Sequence, residues 1–435
     1  MEMLTLVIVL IFETAIAVYS IATKQRRSKI KSWIRIAMFI TFVALVLGDV
    51  VQWHIAWGAF AALLLILAFK EAAALLRPQS HTPRYKVISA IWKFFLLGLA
   101  VVVTLVPVLL FPQHRLPQVT GPFAVATAAY SYTDQTRIEE FTDQGDKRVV
   151  NVEFWYPERA DGTYPLLVFS HGAFGIKASN ASTFTELASH GYVVASIDHP
   201  YHSFYTVSEG GKVAMINSGY MQEVNNANKA GVYSLGEYFG LTQKWMKLRT
   251  DDMDFVLNTI LEQAGRQKDT VYELINVQKI GVFGHSMGGA ASVALCRERD
   301  DIDAVVNIDA PFFSELVYDE VTDELRAKSE AFTIPLLNVY SDDVWIQLDS
   351  SSAYIANQLS NEHFKGAYTV HFRGAKHLSL TDLPLYSPIL ANLLQEGRKA
   401  DVDKYYVIET QNELILRFFD YALKGQGPFT PKAAY

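Results

Sequence analysis

Ser286 sits in Gly284-His285-Ser286-Met287-Gly288, after the apolar run Ile280 to Phe283 and before the small residues Gly289-Ala290-Ala291-Ser292. A serine with glycines two positions to either side, between a strand-like and a helix-like run, has the pattern of a nucleophile on a sharp turn. Only glycine leaves room around strained serine backbone, and the turn carries the hydroxyl clear of the sheet beside the first N–H groups of a helix. The chemistry open to such a residue is acyl transfer. Its hydroxyl is a weak nucleophile, so a base must take the proton and an acid must hold the base.

In the chain order nucleophile, acid, histidine, the partners lie downstream of Ser286. The histidines there are His363, His371 and His377. His371 lies inside the strand-like run Tyr368 to Phe372, and His363 lies in a polar loop before it. His377 follows that strand in F-R-G-A-K-H and is the expected base. Two positions offer an acid. Asp309 ends a strand-like run in N-I-D-A-P, and Asp342 and Asp343 end the next in N-V-Y-S-D-D. A tetrahedral intermediate also needs backbone donors for its oxyanion. Met287 supplies one N–H, and Ala173 in S-H-G-A-F-G supplies the other, with Gly172 letting the chain turn back. No ligand-spaced His/Asp cluster and no G-x-x-x-x-G-K occur, so no metal and no cofactor are expected.

These residues need a scaffold. Strand-like runs rich in Val, Ile and Leu recur at Val149 to Tyr156, Pro165 to Phe169, Tyr192 to Ile197, Ile280 to Phe283, Ala304 to Ile308, Ile334 to Tyr340 and Tyr368 to Phe372. Helical segments lie at Ala181 to His190, at Asp251 to Glu262 and at Lys404 to Leu423. Apolar strands separated by helices predict a mostly parallel, doubly wound sheet covered on both faces, with ligands beyond the carboxyl ends of the strands. The candidate residues all fall at those ends. Residues 200–248 interrupt the pattern with Tyr201, Phe204, Tyr205, Tyr220, Tyr233, Tyr238, Phe239 and Trp245 among polar residues, as expected of a cap over the site.

F-S-H-G at 169–172, G-H-S-M-G-G at 284–289, I-D-A at 308–310 and R-G-A-K-H at 373–377 together resemble an α/β-hydrolase. Within that fold they are similar to the platelet-activating-factor acetylhydrolase family and its dienelactone-hydrolase-like relatives. The resemblance covers roughly the last three hundred residues. It includes the separation of 23 positions between Ser286 and Asp309 and the helix around Arg249 to Leu261. It implies a Ser286–Asp309–His377 triad, and so favours Asp309 over Asp342 or Asp343, and it implies an ester substrate of lipid-like type.

The first hundred residues follow a different logic. The 435-residue chain is 50% hydrophobic and 19% charged, and the apolar excess is concentrated at the front. Apolar runs at 3–22, 33–51, 55–76 and 87–111 are each about the length of a bilayer-crossing helix, predicting a four-helix transmembrane domain over 1–111. Lys24, Arg26, Arg27, Lys29 and Lys31 follow the first run, and Lys70, Arg77, Arg84 and Lys86 join the third to the fourth. Basic loops stay cytoplasmic, which places the amino terminus and the domain after residue 111 outside. Losing one span from that count would reverse the sidedness. Residues 112–124 carry three prolines and read as a linker, with the hydrolase domain over 125–435. Glu13, within the first run, has no assigned role. A net charge of −7 and no dense basic run beyond the first hundred residues exclude nucleic acid as an expected partner. The lone cysteine, Cys296, forms no intrachain disulfide.

The expected function is a membrane-anchored serine hydrolase of carboxylic esters acting through an acyl-enzyme. Two alternatives remain at this level: a hydrolase-like domain that only binds a ligand or partner, and cleavage of a peptide or polyester bond.

Overall fold

A computed structural model describes residues 9, 11–16, 18–19, 22, 29–76, 87–158, 161–264, 266, 270–364, 366–395 and 399–435. The chain divides into two compact units, Met1–Arg115 with Tyr386–Leu390, and Leu116–Leu385 with Ala391–Tyr435.

In the first unit the helices Lys29–Leu47, Gly58–Leu76 and Val87–Leu110 follow the expected apolar runs. Three segments among the described residues are long and apolar enough to cross a membrane: Lys29–Leu47, Ile55–Leu76 and Ile91–Leu110. Half of the expected first span, 3–22, lies outside the described residues; those described within it are helical. Phe42, Trp57 and Phe60 pack ring to ring with centroids 5.5–5.9 Å apart, while Ile66, Phe69, Trp92 and Phe95 are exposed. Large apolar side chains facing outwards from a bundle suit a lipid solvent and not water. The second expected span ends early. Its helix stops at Leu47, and Asp49 takes a φ of 55° in the turn that follows.

One polar cluster ties this unit together. The Arg35 guanidinium donates to both Glu13 oxygens at 2.9 and 2.8 Å and to Glu71 Oε1 at 2.9 Å. Ser32 Oγ donates to Glu71 at 2.9 Å, and Lys31 Nζ lies 3.2 Å from the same carboxylate. Two acids and two bases balance, which is how charge is tolerated among apolar helices.

The second unit is built on one eight-stranded sheet: β1 (Val125–Ile138), β2 (Lys147–Pro157), β3 (Tyr164–Ser170), β4 (Val193–Asp198), β5 (Ile275–His285), β6 (Ala304–Ile308), β7 (Leu336–Ser341) and β8 (Ala367–Phe372), in spatial order β1-β2-β4-β3-β5-β6-β7-β8. β2 pairs antiparallel with both β1 and β4; every other pairing is parallel. Alternation sorts the strand side chains to two faces. Leu166, Val168, Ile280 and Val282 join one core with Met253, Val256 and Leu257 of helix Leu235–Ala264 and with Val293 and Leu295 of helix Met287–Glu298. Leu167, Phe169 and Phe283 join the other with Phe184 and Leu187 of helix Ala181–Ser189 and with Ile415, Phe418 and Phe419 of helix Lys404–Lys424. This is the α/β-hydrolase arrangement, with both faces of the sheet covered.

Some local expectations require correction. The edge strand β1 escaped notice because its exposed and half-buried residues give no apolar run. The helix expected at 251–262 runs from Leu235 to Ala264, so the final part of the proposed cap is continuous with a core helix. A small hairpin, Tyr205–Val207 with Val213–Met215, and helix Ser218–Ala227 make up most of the rest. Residues 112–124 contain no helix or strand, and Phe123 N donates to Ser189 O at 3.1 Å.

Candidate active site

β5 ends at His285, helix Met287–Glu298 begins at Met287, and Ser286 between them holds φ 52° and ψ −129°. A non-glycine residue at positive φ is strained, and such strain collects at reactive positions. The neighbours must be glycine. A Cβ on Gly288 would stand 1.9 Å from Ser170 O, and one on Gly284 would stand 2.3 Å from the Gly288 backbone. Ser286 N donates to Ile308 O at 2.7 Å, tying the turn to β6.

Asp309 follows β6, also at positive φ (60°), with its N–H on Val339 O at 2.8 Å. Three donors converge on its buried carboxylate. Ser341 N reaches Oδ1 and Ser341 Oγ reaches Oδ2, both at 2.7 Å, and His377 Nδ1 lies 2.7 Å from Oδ2. The carboxylate accepts, so Nδ1 carries the proton and Nε2 is left to act as a base. His377 opens the short turn His377–Leu380 beyond β8, with its ring one-third exposed. Its carbonyl accepts from His285 Nε2 at 3.0 Å, and burial holds His285 well below the usual imidazole range.

The competing acids fall elsewhere. Asp342 bonds His371 Nε2 at 2.7 Å and Gly374 N at 2.9 Å, with Trp345 stacked on the His371 ring at 4.5 Å. Asp343 accepts the backbone N–H of His377 at 3.0 Å; it braces the loop without meeting the imidazole's Nδ1. His363 closes helix Ile355–His363, in place of the loop expected there.

The loop after β3 brings Gly172, the residue before Ala173, to the turn. A Cβ on Gly172 would lie 3.0 Å from His285 Nδ1 and 3.2 Å from Ser286 Cβ, so a side chain there would crowd the turn. Met287 is the first residue of its helix, where N–H groups have no intrahelical acceptor. Tyr220 donates its hydroxyl to Met287 Sδ at 3.1 Å and stacks on His202, ring centroids 3.6 Å apart. The same two rings, with Ile138, Phe141, Leu248 and Arg137, line a cavity of about 450 Å³.

Behind the loop lies a buried polar assembly that sequence reasoning missed. Arg249 donates to His171 O, and to Gly172 O and Ser170 Oγ at 3.3 Å. His199 bridges Ser170 Oγ at 2.8 Å to Asp252 at 3.0 Å, and Arg148 grips Asp252 through two bonds of 2.6 and 2.7 Å. Burial, aided by the Arg249 charge, lowers His199 to about 4. A signal was available. Arg249 falls in the stripe of Trp245, Met246, Met253, Val256 and Ile260, where an amphipathic helix should be apolar.

The profile of the family described as platelet-activating factor acetylhydrolase, isoform II, matches residues 150–429, which hold Ala173, Ser286, Met287, Asp309 and His377. The chain belongs to that family. It is 24% identical over 287 residues to platelet-activating factor acetylhydrolase of Bos taurus, covering 62% of this chain and 60% of that one. Against the Canis lupus familiaris enzyme of the same name it is 26% identical over 198 residues, 41% of this chain and 43% of the relative. A probable 1-alkyl-2-acetylglycerophosphocholine esterase of Arthroderma benhamiae is 26% identical over 153 residues, 35% and 33% of the two chains. These matches span less than two thirds of the relatives. Ferulic acid esterase from Streptomyces cinnamoneus superposes with a TM-score of 0.54 at 20% identity, over 72% of this chain and 94% of that one. That likeness speaks to fold alone.

Proposed function

We propose that this family member is a membrane-anchored serine hydrolase that cleaves carboxylic esters of lipid-like alcohols, with acetylated phospholipids the favoured class. One observation carries the reading: a buried Asp309 carboxylate 2.7 Å from His377 Nδ1, with Ser286 on a strained turn at the same end of the sheet. Ser286 Oγ attacks the ester carbonyl and its proton passes to His377 Nε2. The Ala173 and Met287 N–H groups hold the oxyanion, and Asp309 stabilises the imidazolium. Collapse expels the alcohol, which takes the proton from His377. Water, deprotonated by the same imidazole, then releases the acid from Ser286.

The acetylated-lipid substrate is supported by the relatives' names and by the apolar helices, which would hold the site at a bilayer. Anchoring through four spans, 3–22 included, with the hydrolase domain outside the cell, is supported by the placement of the basic residues and by Glu13 bonding Arg35.

The test is hydrolysis by the detergent-solubilised full chain of esters with acyl groups from two to sixteen carbons, beside Ser286→Ala. Turnover that is highest for acetyl esters and absent in the variant is expected. Turnover surviving in Ser286→Ala would remove the serine mechanism, and a folded wild-type chain inert on every ester would leave a binding domain.

A further inference from the structure

Arg249 is wholly buried on helix Leu235–Ala264, and among the described residues no carboxylate pairs with it. Asp252, the acid whose charge acts on it, is already held by Arg148 and His199. A buried cation without a counter-ion is costly, and one persists only where the surroundings or the function require it. The guanidinium is instead spent on one short stretch: His171 O, Gly172 O and Ser170 Oγ. Its Nε is buried with no hydrogen-bond partner among the described residues.

The peptide joining Gly172 to Ala173 explains why that stretch matters. Across a trans peptide the C=O and the N–H point in opposite directions. Gly172 O is fixed by three donors: Arg249 Nη2 at 3.3 Å, His171 Nδ1 at 2.6 Å and Gly175 N at 3.1 Å. Holding the oxygen on that side turns the Ala173 N–H to the other. Donation to the carbonyl also polarises the peptide and strengthens its N–H as a donor. A positive charge behind the donor is worth most when negative charge develops in front of it.

We propose that Arg249 is a positioning residue for the oxyanion hole, aiming and polarising the Gly172–Ala173 peptide and gaining its counter-charge only as the tetrahedral oxyanion forms. This rests on the ester-hydrolase reading. It differs from the part played by Arg148, whose guanidinium is matched by Asp252 and Glu139. Tyr220, whose hydroxyl lies within electrostatic reach of Arg249, links the arginine to the cavity wall.

The experiment uses the full chain in detergent, with Arg249→Lys and Tyr220→Phe. It measures kcat and KM per fluorophosphonate-titrated site, and the Ki of a trifluoromethyl ketone ester analogue whose serine adduct carries an oxyanion. Arg249→Lys keeps the charge and loses the fork. It should lower kcat by about 10²-fold with KM within about threefold, and Ki should weaken in step with kcat/KM. Tyr220→Phe, the gentler change, should show the same parallel loss at several-fold and keeps the test alive if Arg249→Lys does not fold. Wild-type kcat per titrated site and wild-type Ki in a folded variant would overturn the proposal. Ser286→Ala retaining hydrolysis would instead overturn the reading beneath it.

Discussion

Arg35 and Arg249 are both helical arginines withdrawn from solvent, one in each unit, and their surroundings are opposite. Arg35 meets two carboxylates, Glu13 and Glu71, with Lys31 completing a balanced set. Arg249 meets carbonyls and a hydroxyl. The difference separates two uses of a buried cation. Matched by acids, it joins helices and its removal is felt in stability; matched by backbone oxygens beside a reactive turn, it sets geometry and its loss is felt in rate.

The aspartates sharpen this contrast most. Asp309 meets the imidazole, whereas Asp343 accepts the backbone N–H of His377. Asp309→Asn should lower kcat by about 10⁴-fold while the protein stays folded. Asp343→Asn should keep most of the activity. Steady-state kinetics on both variants decides, and the reverse ranking would move the acid to β7.

Next in size is the N-terminal cluster. Arg35→Met leaves Glu13 and Glu71 among apolar helices without their guanidinium, a change that costs about 3–5 kcal/mol for a broken buried pair. The thermal midpoint in detergent should drop sharply while kcat per titrated site holds. Exchanging the pair, Glu13→Arg with Arg35→Glu, should recover part of the loss. A fall in kcat with the midpoint unmoved would erase the distinction between the two arginines.

Acid should act on the hydrolase unit through its histidines. Burial holds His171, His202 and His285 well below the ordinary 6.5, and His199 at about 4. Unfolding lets each take up a proton, so their contribution is complete above pH 6.5 and is lost as pH falls towards 4. Asp198 and Asp382, raised to about 6 by burial, work the other way, stabilising the fold at low pH and less as pH rises through 6. Four histidines outweigh two aspartates, so urea midpoints should decline from pH 6.5 to pH 4.5, each proton worth about 1.4 kcal/mol per pH unit. A rising midpoint over that range would show the aspartates in control. The smallest expected change is Ser341→Ala, which removes one hydroxyl donor from Asp309 and leaves the Ser341 N–H in place. It should lower kcat several-fold.

Legibility in the sequence followed locality. Ser286, with its glycines, was readable because a tight turn dictates residue type within a few positions. His377 and Asp309 were readable as strand-end residues in the right order, although choosing Asp309 over Asp342 or Asp343 needed a family resemblance, since all three end strands. The Asp309–His377 contact crosses 68 positions and depends on β6 and β8 lying on either side of β7, which no local pattern encodes. β1 was lost because one face is solvated and the other only half-buried. Arg249 was passed over as part of a helix. Its meaning lies in what it faces, the His171 and Gly172 carbonyls 78 and 77 positions away. Glu13 was likewise without a role until Arg35 stood beside it.

The most direct test of the account is to react the folded full chain with a fluorophosphonate and map the modified peptide by mass spectrometry. The account predicts a single adduct on Ser286, formed quickly in the wild type, slowly in Asp309→Asn and not at all in Ser286→Ala. An adduct on another residue, or none on a chain that melts cooperatively, would contradict it.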